Sequence, residues 1–341
     1  MRCVTFGEIM MRLNPEGYYR LVQADRLEVS YAGGEANVAV SLSYLGVGAA
    51  FVTKLPDNEL GQSAVNELRR HGVDTSRIKR GGPRLGVYFV ERGASQRASK
   101  VIYDRAGSSI ALAEPNDFDW DAIFEGADWF HFTGITPALG EHLPGICREA
   151  CEAAKARGVR VSCDLNYRRK LWSGERAGLV MAELMPYVDV LIGNEEDSFD
   201  VFGIRAEDSD IGAGRLAHEG YQSVARQLVR RFGFKKVAIT LRESISASEN
   251  DWSGMLYDAA SDRAYLSPSY SIRVVDRVGG GDSFGGGLIY ALLNGYADQD
   301  ALNFAVAASC LKHSIEHDFN LCGVEEVRAL AAGNASGRIQ R

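Results

Sequence analysis

The residue in this chain best suited to chemistry is Asp282, which follows Gly279, Gly280 and Gly281 and leads through Ser283, Phe284 and three more glycines into the apolar run 288–293. Consecutive glycines before a stretch that buries well predict a turn opening onto a helix. The first N–H groups of a helix have no internal partner and carry the positive end of its dipole, so such a turn accepts an anion. A carboxylate there is costly beside a phosphate unless it takes part in the reaction. Accepting the proton of a hydroxyl that attacks phosphorus is the task that fits, which makes Asp282 a candidate catalytic base. Aspartate is also a good N-cap, so this stretch alone is compatible with an ordinary helix start. It lacks the Lys-Ser/Thr of a Walker loop and the spacing of a dinucleotide fingerprint. A second glycine turn, Gly33-Gly34-Glu35-Ala36-Asn37, also feeds a helix. Its glycines permit close approach of a ligand, and Asn37 offers a donor and an acceptor to a polyol.

Both turns need a scaffold. Short apolar runs at 3–6, 50–53, 129–132, 159–163, 188–192 and 237–241 read as strands, and the amphipathic stretches 36–45, 59–71, 143–157, 221–232 and 298–313 read as helices. This alternation predicts a mainly parallel sheet covered on both faces. Two regions, 10–32 and 85–105, turn instead to short aromatic and β-branched runs and are expected to form antiparallel strands outside the main sheet. They would make a small lid over the carboxyl ends of the strands, where ligands of open α/β sheets bind, or an edge used for dimer contact.

The chain has 341 residues, long enough for one large core with an appendage, and its 38 Lys+Arg against 45 Asp+Glu give a net charge of −7. With no basic block, nucleic acid and anionic membrane are poor candidates as partners. The six cysteines are scattered without a Cys-x-x-Cys pair, and Cys147 and Cys151, four apart on a helix, are expected to be small buried residues. The N-terminus reads as a strand and no apolar run reaches membrane-spanning length, so a cytoplasmic location is expected.

Together, Gly33-Gly34-Glu35-Ala36-Asn37 and Gly279-Gly280-Gly281-Asp282 resemble the two signatures of the ribokinase-like (PfkB) sugar kinases. The resemblance extends from Cys3 to about Gly323 and implies a three-layer α/β/α sandwich with a mainly parallel sheet and a β lid. A kinase core would take 1–9, 33–84 and 106–330, the lid 10–32 and 85–105, and an exposed tail 331–341. It further implies transfer of the γ-phosphoryl group of ATP to a sugar hydroxyl, with Mg²⁺, Asp282 as base and the amides of Gly279, Gly280 and Gly281 as the anion hole. A homodimer closed lid to lid is also implied, and dependence on a monovalent cation is left open.

One branch fits better than the others. Tyr103-Asp104-Arg105-Ala106-Gly107-Ser108, the stretch 130–139 that contains Ile135, and Asp164-Leu165-Asn166-Tyr167-Arg168-Arg169-Lys170 look like motifs of 2-keto-3-deoxygluconate kinases. An acidic acceptor suits two arginines, so Arg105 and Arg168 are expected to hold its carboxylate, with Tyr88, Tyr103, Gly33, Gly34, Asn37 and Ile135 around the sugar. The reaction would place phosphate on the terminal primary hydroxyl. The galactose-derived epimer, fructose, or a non-catalytic sugar sensor of the same fold are the alternatives. On the nucleotide side the resemblance points to Asn194, Thr240, Arg242, Asp276, Gly279, Gly281 and, against adenine, Ala308, with Mg²⁺ bound through water near Glu196 and Asp197. The chain departs from the family pattern in three places: in the glycine signature Arg277 replaces Thr and Gly280 replaces Ala, Asp197 replaces Glu, and Arg242 replaces Gly ahead of a longer hairpin at 240–252. A segment at 208–222 reads as an insertion.

Overall fold

The computed structural model describes residues 1–194, 196–205 and 218–334. The expected insertion at 208–222 therefore lies mostly outside the described residues, as does the tail beyond Asn334. A nine-stranded sheet forms the centre, in the order Arg263–Leu266, Glu249–Asp258, Lys236–Ser244, Val190–Asn194, Arg160–Asp164, Trp129–Thr133, Arg2–Phe6 and Gly48–Val52, with Tyr270–Arg273 pairing off Glu249–Asp258. Every pair from Gly48–Val52 to Lys236–Ser244 is parallel, and the remainder is antiparallel.

Successive residues of a strand point to opposite faces, and both faces here are apolar. Cys3, Phe51, Trp129 and Ile192 join one core with helix residues Val38, Leu68, Leu288 and Phe304. Their neighbours Val4, Ala50, Phe130 and Leu191 join the other, with Ile146, Met181 and Leu228. The result is three layers. Strand boundaries fall within a few residues of the runs read from sequence, and the helices Gly34–Tyr44, Glu59–Arg70, Leu143–Ala156, His218–Phe232 and Asp298–Lys312 occupy the expected stretches. Cys147 and Cys151 are buried and unpaired, as their spacing suggested.

The lid is a separate sheet, ordered Glu28–Ala32, Met10–Asn14, Val87–Glu91, Lys100–Asp104. It corrects one expectation: its central pair, Met10–Asn14 with Val87–Glu91, is parallel. Alternating burial identifies a strand but carries no direction. The two outer pairs are local or near-local hairpins and are antiparallel.

Candidate active site

Two helix N-termini converge beyond the carboxyl ends of the central strands. Helix Gly280–Leu293 starts from Gly279, whose φ of +85° favours glycine, and places Asp282 in its first turn. Helix Gly34–Tyr44 packs against it closely enough that a Cβ on Gly286 would lie 2.8 Å from Ser41 Cβ. Asn37, on the first turn of that helix, donates from Nδ2 to Asp282 Oδ2 at 2.6 Å. Gly34 also faces the carboxylate, for a Cβ there would lie 3.5 Å from Asp282 Oδ1.

Desolvation outweighs the Asn37 hydrogen bond, and the carboxylates of Asp318 and Glu35 add to it, so the Asp282 pKa is pushed up to about 7. A carboxyl titrating near neutrality suits a general base. Glu35 is buried and raised by the same cause, and its Oε1 accepts from Thr133 N–H, Thr133 Oγ1 and Thr136 Oγ1. It ties the start of helix Gly34–Tyr44 to the end of strand Trp129–Thr133.

Two cavities meet at Asp282. The smaller, about 70 Å³, lies under the lid and is lined by Gly33, Gly34, Asn37, Tyr88, Tyr103, Arg105 and Ile135. The larger, about 330 Å³, is lined by Gly279, Gly280, Gly281, Asn194, Thr240, Arg242 and Arg277. Asp282, Arg168, Asn166 and Val278 line both. An acceptor in one and a donor in the other would face each other across the carboxylate.

Within the lid cavity, Tyr88 and Tyr103 stack at 5.9 Å between ring centroids. Arg105 gives Nε and Nη2 to Glu8 Oε2, while Glu8 Oε1 accepts from Ser108 Oγ. Its guanidinium is thus oriented by a buried acid, with Nη1 left over for a ligand. Arg168 forms no ion pair among the described residues and hydrogen-bonds only the Tyr167 carbonyl, at 3.3 Å. Arg169 instead pairs with Asp200 at the surface, as a solvated loop arginine does.

In the larger cavity neither Arg242 nor Arg277 is in an ion pair among the described residues. Arg277 donates to the Ala247 carbonyl at 2.9 Å, and burial together with Arg242 lowers its pKa. Two uncompensated guanidinium groups suit a polyphosphate. Asp164, also on this cavity, is raised well above the usual carboxylate range by burial, Asp197 and Asp282.

Three nucleotide-side expectations are corrected. Asp276 is buried, its Oδ2 2.5 Å from Arg12 Nη2, and does not face the cavity. Ala308 is fully buried against helix Gly280–Leu293, where a Cβ on Gly287 would sit 3.0 Å from Ala308 Cβ; its small size serves helix packing and leaves no face for adenine. Asp197 accepts from Tyr167 N–H at 3.2 Å and Asn194 N–H at 3.0 Å, so both its oxygens hold backbone. For Mg²⁺ the fit therefore rests on Glu196 and Asp164, which line the cavity, acting through water. No group of three or more His, Cys, Asp or Glu among the described residues could enclose a metal. Residues that sequence reasoning missed are Glu8, Arg12 and Asp318, and Trp252 and His313 in the larger cavity. Only Glu8, two residues past the end of the first strand, carried a positional signal.

A three-layer sheet that ends its strands on paired cavities, one lidded and one cationic, is the architecture of a ribokinase-like carbohydrate kinase. Residues 1–314 match the model of the pfkB family carbohydrate kinases, and the chain belongs to that family. It is 35% identical over 334 residues to the 2-dehydro-3-deoxygalactonokinase of Haloferax volcanii, covering 98% of each chain. It is 29% identical over 321 residues to the 2-dehydro-3-deoxygluconokinase of Thermoproteus tenax, covering 92% of this chain and 89% of that one. The crystal structure of 2-dehydro-3-deoxygluconokinase from Thermotoga maritima superposes with a TM-score of 0.94 at 52% identity, over 98% of each chain. No helix among the described residues is long and apolar enough to cross a membrane.

Proposed function

We propose that this kinase transfers the γ-phosphoryl group of ATP to the terminal primary hydroxyl of 2-keto-3-deoxygluconate. Enzymes of its family use ATP and Mg²⁺. The observation that carries the acidic acceptor is Arg168, an ion-pair-free guanidinium on the wall shared by both cavities, beside Arg105 held in place by Glu8. Arg105 is already paired with Glu8 and Arg168 is exposed without an ion pair among the described residues, so an acidic acceptor would give Arg168 a charge partner that a neutral hexose would not. The relatives in H. volcanii, T. tenax and T. maritima, all named as keto-deoxy sugar-acid kinases, support that class, and the 52% identity of the last favours the gluconate epimer.

In this reading Arg168 and Arg105 Nη1 hold the carboxylate, and the lid tyrosines cover the carbon chain. Asp282 takes the hydroxyl proton as that oxygen attacks phosphorus in line. The amides of Gly279, Gly280 and Gly281 face the charge that develops on the moving group, and Arg242 and Arg277 face the remaining phosphates. Bound Mg²⁺ would neutralise phosphate charge, with Glu196 and Asp164 orienting its waters. Exposed Val22, Val29 and Ile102 on the lid support a dimer joined lid to lid, and a monomer mass in light scattering would exclude it.

The test is ADP release with Mg-ATP and 2-keto-3-deoxygluconate, its galactonate epimer, fructose, ribose and adenosine. Selective turnover of the keto-deoxy acids, gluconate ahead of galactonate in kcat/KM, is expected. Preference for a neutral acceptor would overturn the arginine assignment.

A further inference from the structure

Arg12 sits on the lid strand Met10–Asn14, yet its side chain is fully buried. Its Nη2 lies 2.5 Å from Asp276 Oδ2 and its Nη1 2.5 Å from Asp318 Oδ1. Those two carboxylates bracket the glycine turn. Asp276 precedes it, and its Oδ1 accepts from Val278 N–H at 3.1 Å. Asp318 presses on it from outside, its carbonyl oxygen so near Gly279 that a Cβ there would lie 2.0 Å away. A second lid residue, Tyr88, donates its hydroxyl to Asp318 Oδ2 at 2.9 Å. From the core side, buried Lys312 donates to the Asp276 carbonyl at 3.1 Å.

The lid is thus bonded to the frame of the anion hole, from a strand that also borders the acceptor cavity through Met10. Met10, Tyr88 and Tyr103 of the lid wall that cavity, so a six-carbon acid entering or leaving it bears on the lid strands. Outward movement must either break the bonds from Arg12 and Tyr88 or drag Asp276 and Asp318 with it. Leaving a buried guanidinium and two buried carboxylates apart is strongly unfavourable. A buried ion triad adds little net stability over apolar packing, so what this one contributes is geometry.

We infer that Arg12 is a positioning residue: by joining the lid to Asp276 and Asp318 it sets the glycine turn into its anion-binding shape when the lid closes, so acceptor and nucleotide bind cooperatively. The inference rests on the anion-hole role proposed above for Gly279, Gly280 and Gly281. It assigns to lid closure the second task of preparing the phosphoryl site.

The experiment measures Kd for a non-hydrolysable ATP analogue with Mg²⁺, by calorimetry, with and without saturating 2-keto-3-deoxygluconate. The wild-type enzyme is expected to bind the analogue at least fivefold more tightly with acceptor present. Arg12→Lys keeps the charge but loses the two-pronged reach, and Asp318→Asn keeps the size but weakens both lid contacts. In each, the ratio of the two Kd values should fall towards one, whatever happens to either affinity alone. A purely structural role would lower stability and leave that ratio unchanged. An undiminished ratio in either variant that still melts cooperatively, or no cooperativity in the wild-type enzyme, overturns the inference. Failure of the anion-hole reading is distinguishable, because Gly281→Ala would then keep full turnover, a result that does not depend on the ratio of the two Kd values.

Discussion

Asn37 and Asp282, 245 residues apart in sequence, are joined by a 2.6 Å hydrogen bond that links the first turns of two helices. Asn37 donates to the charged form of the carboxylate and so opposes the burial that raises the Asp282 pKa to about 7. As the proposed base Asp282 must be deprotonated, so kcat should rise with pH along a limb centred near 7. A hydrogen bond to a charged group contributes about 1.5–3 kcal/mol, and 1.36 kcal/mol corresponds to one pKa unit. Asn37→Ala is therefore expected to move the limb up by about one to two pH units. A pH–rate profile with an unmoved limb would show that another group controls it.

The same elevation predicts a stability effect of opposite sense to activity. A carboxyl with a raised native pKa binds its proton more tightly folded than unfolded. The benefit is complete below the ordinary value of 3.8 and is lost as pH rises through about 7. Asp282→Asn removes this loss. The variant should melt close to the wild-type enzyme at pH 4 and above it at pH 8, while kcat falls by about 10²–10⁴ with both substrates still bound. Melting curves across pH and a single kcat measurement test both halves.

Much of this site was legible because chemistry-bearing residues in a parallel sheet cluster just after strands and at helix starts. Asp164 and Asn194 end their strands, and Asn37 and Asp282 open their helices, so their motifs could be placed on one edge. Arg12 and Asp318 could not be found that way. Arg12 alternates within a lid strand like a solvent-facing residue, and only the folded lid brings it against Asp276, 264 positions away. Ala308 misled for a related reason: a small residue on a helix gives the same signal for a flat ligand as for a neighbouring helix. The departure at Asp197 looked like a metal question because sequence shows the carboxylate but not the amides that occupy it.

Arg168 is expected to govern affinity for the acceptor's charge. Arg168→Met should raise KM for 2-keto-3-deoxygluconate by about 10-fold to 100-fold, the equivalent of one charge-assisted hydrogen bond. Turnover of fructose, if measurable, should change far less. Glu8→Gln should also raise KM, more modestly, by freeing Arg105 from the partner that orients it. Equal losses for acid and neutral acceptors would mean that Arg168 serves the phosphates instead.

Asp197 should prove structural. Its two oxygens each accept a backbone N–H, whereas asparagine offers one acceptor oxygen and would set its NH₂ against the other amide. Asp197→Asn is expected to destabilise the enzyme by about 1–3 kcal/mol. The Mg²⁺ concentration giving half-maximal activity should stay where it is. A large shift in that concentration would return the residue to the metal.

The glycine turn offers a paired test in which space and conformation separate. Gly279 has φ +85° and its Cβ position lies 2.0 Å from the Asp318 carbonyl oxygen, so alanine there meets backbone that cannot swing aside. The left-handed conformation alone costs about 1–2 kcal/mol for a residue with a Cβ. Gly279→Ala should lower both the melting temperature and turnover. Gly281, two residues on, has nothing within 4 Å of its Cβ position and sits in helical backbone. Gly281→Ala should therefore melt at or slightly above the wild-type temperature, since alanine favours helix. It lines the larger cavity, so a methyl group there would keep a phosphoryl group from its amide. Loss of turnover in Gly281→Ala without loss of stability would place the reacting anion at this turn; full activity would place it elsewhere.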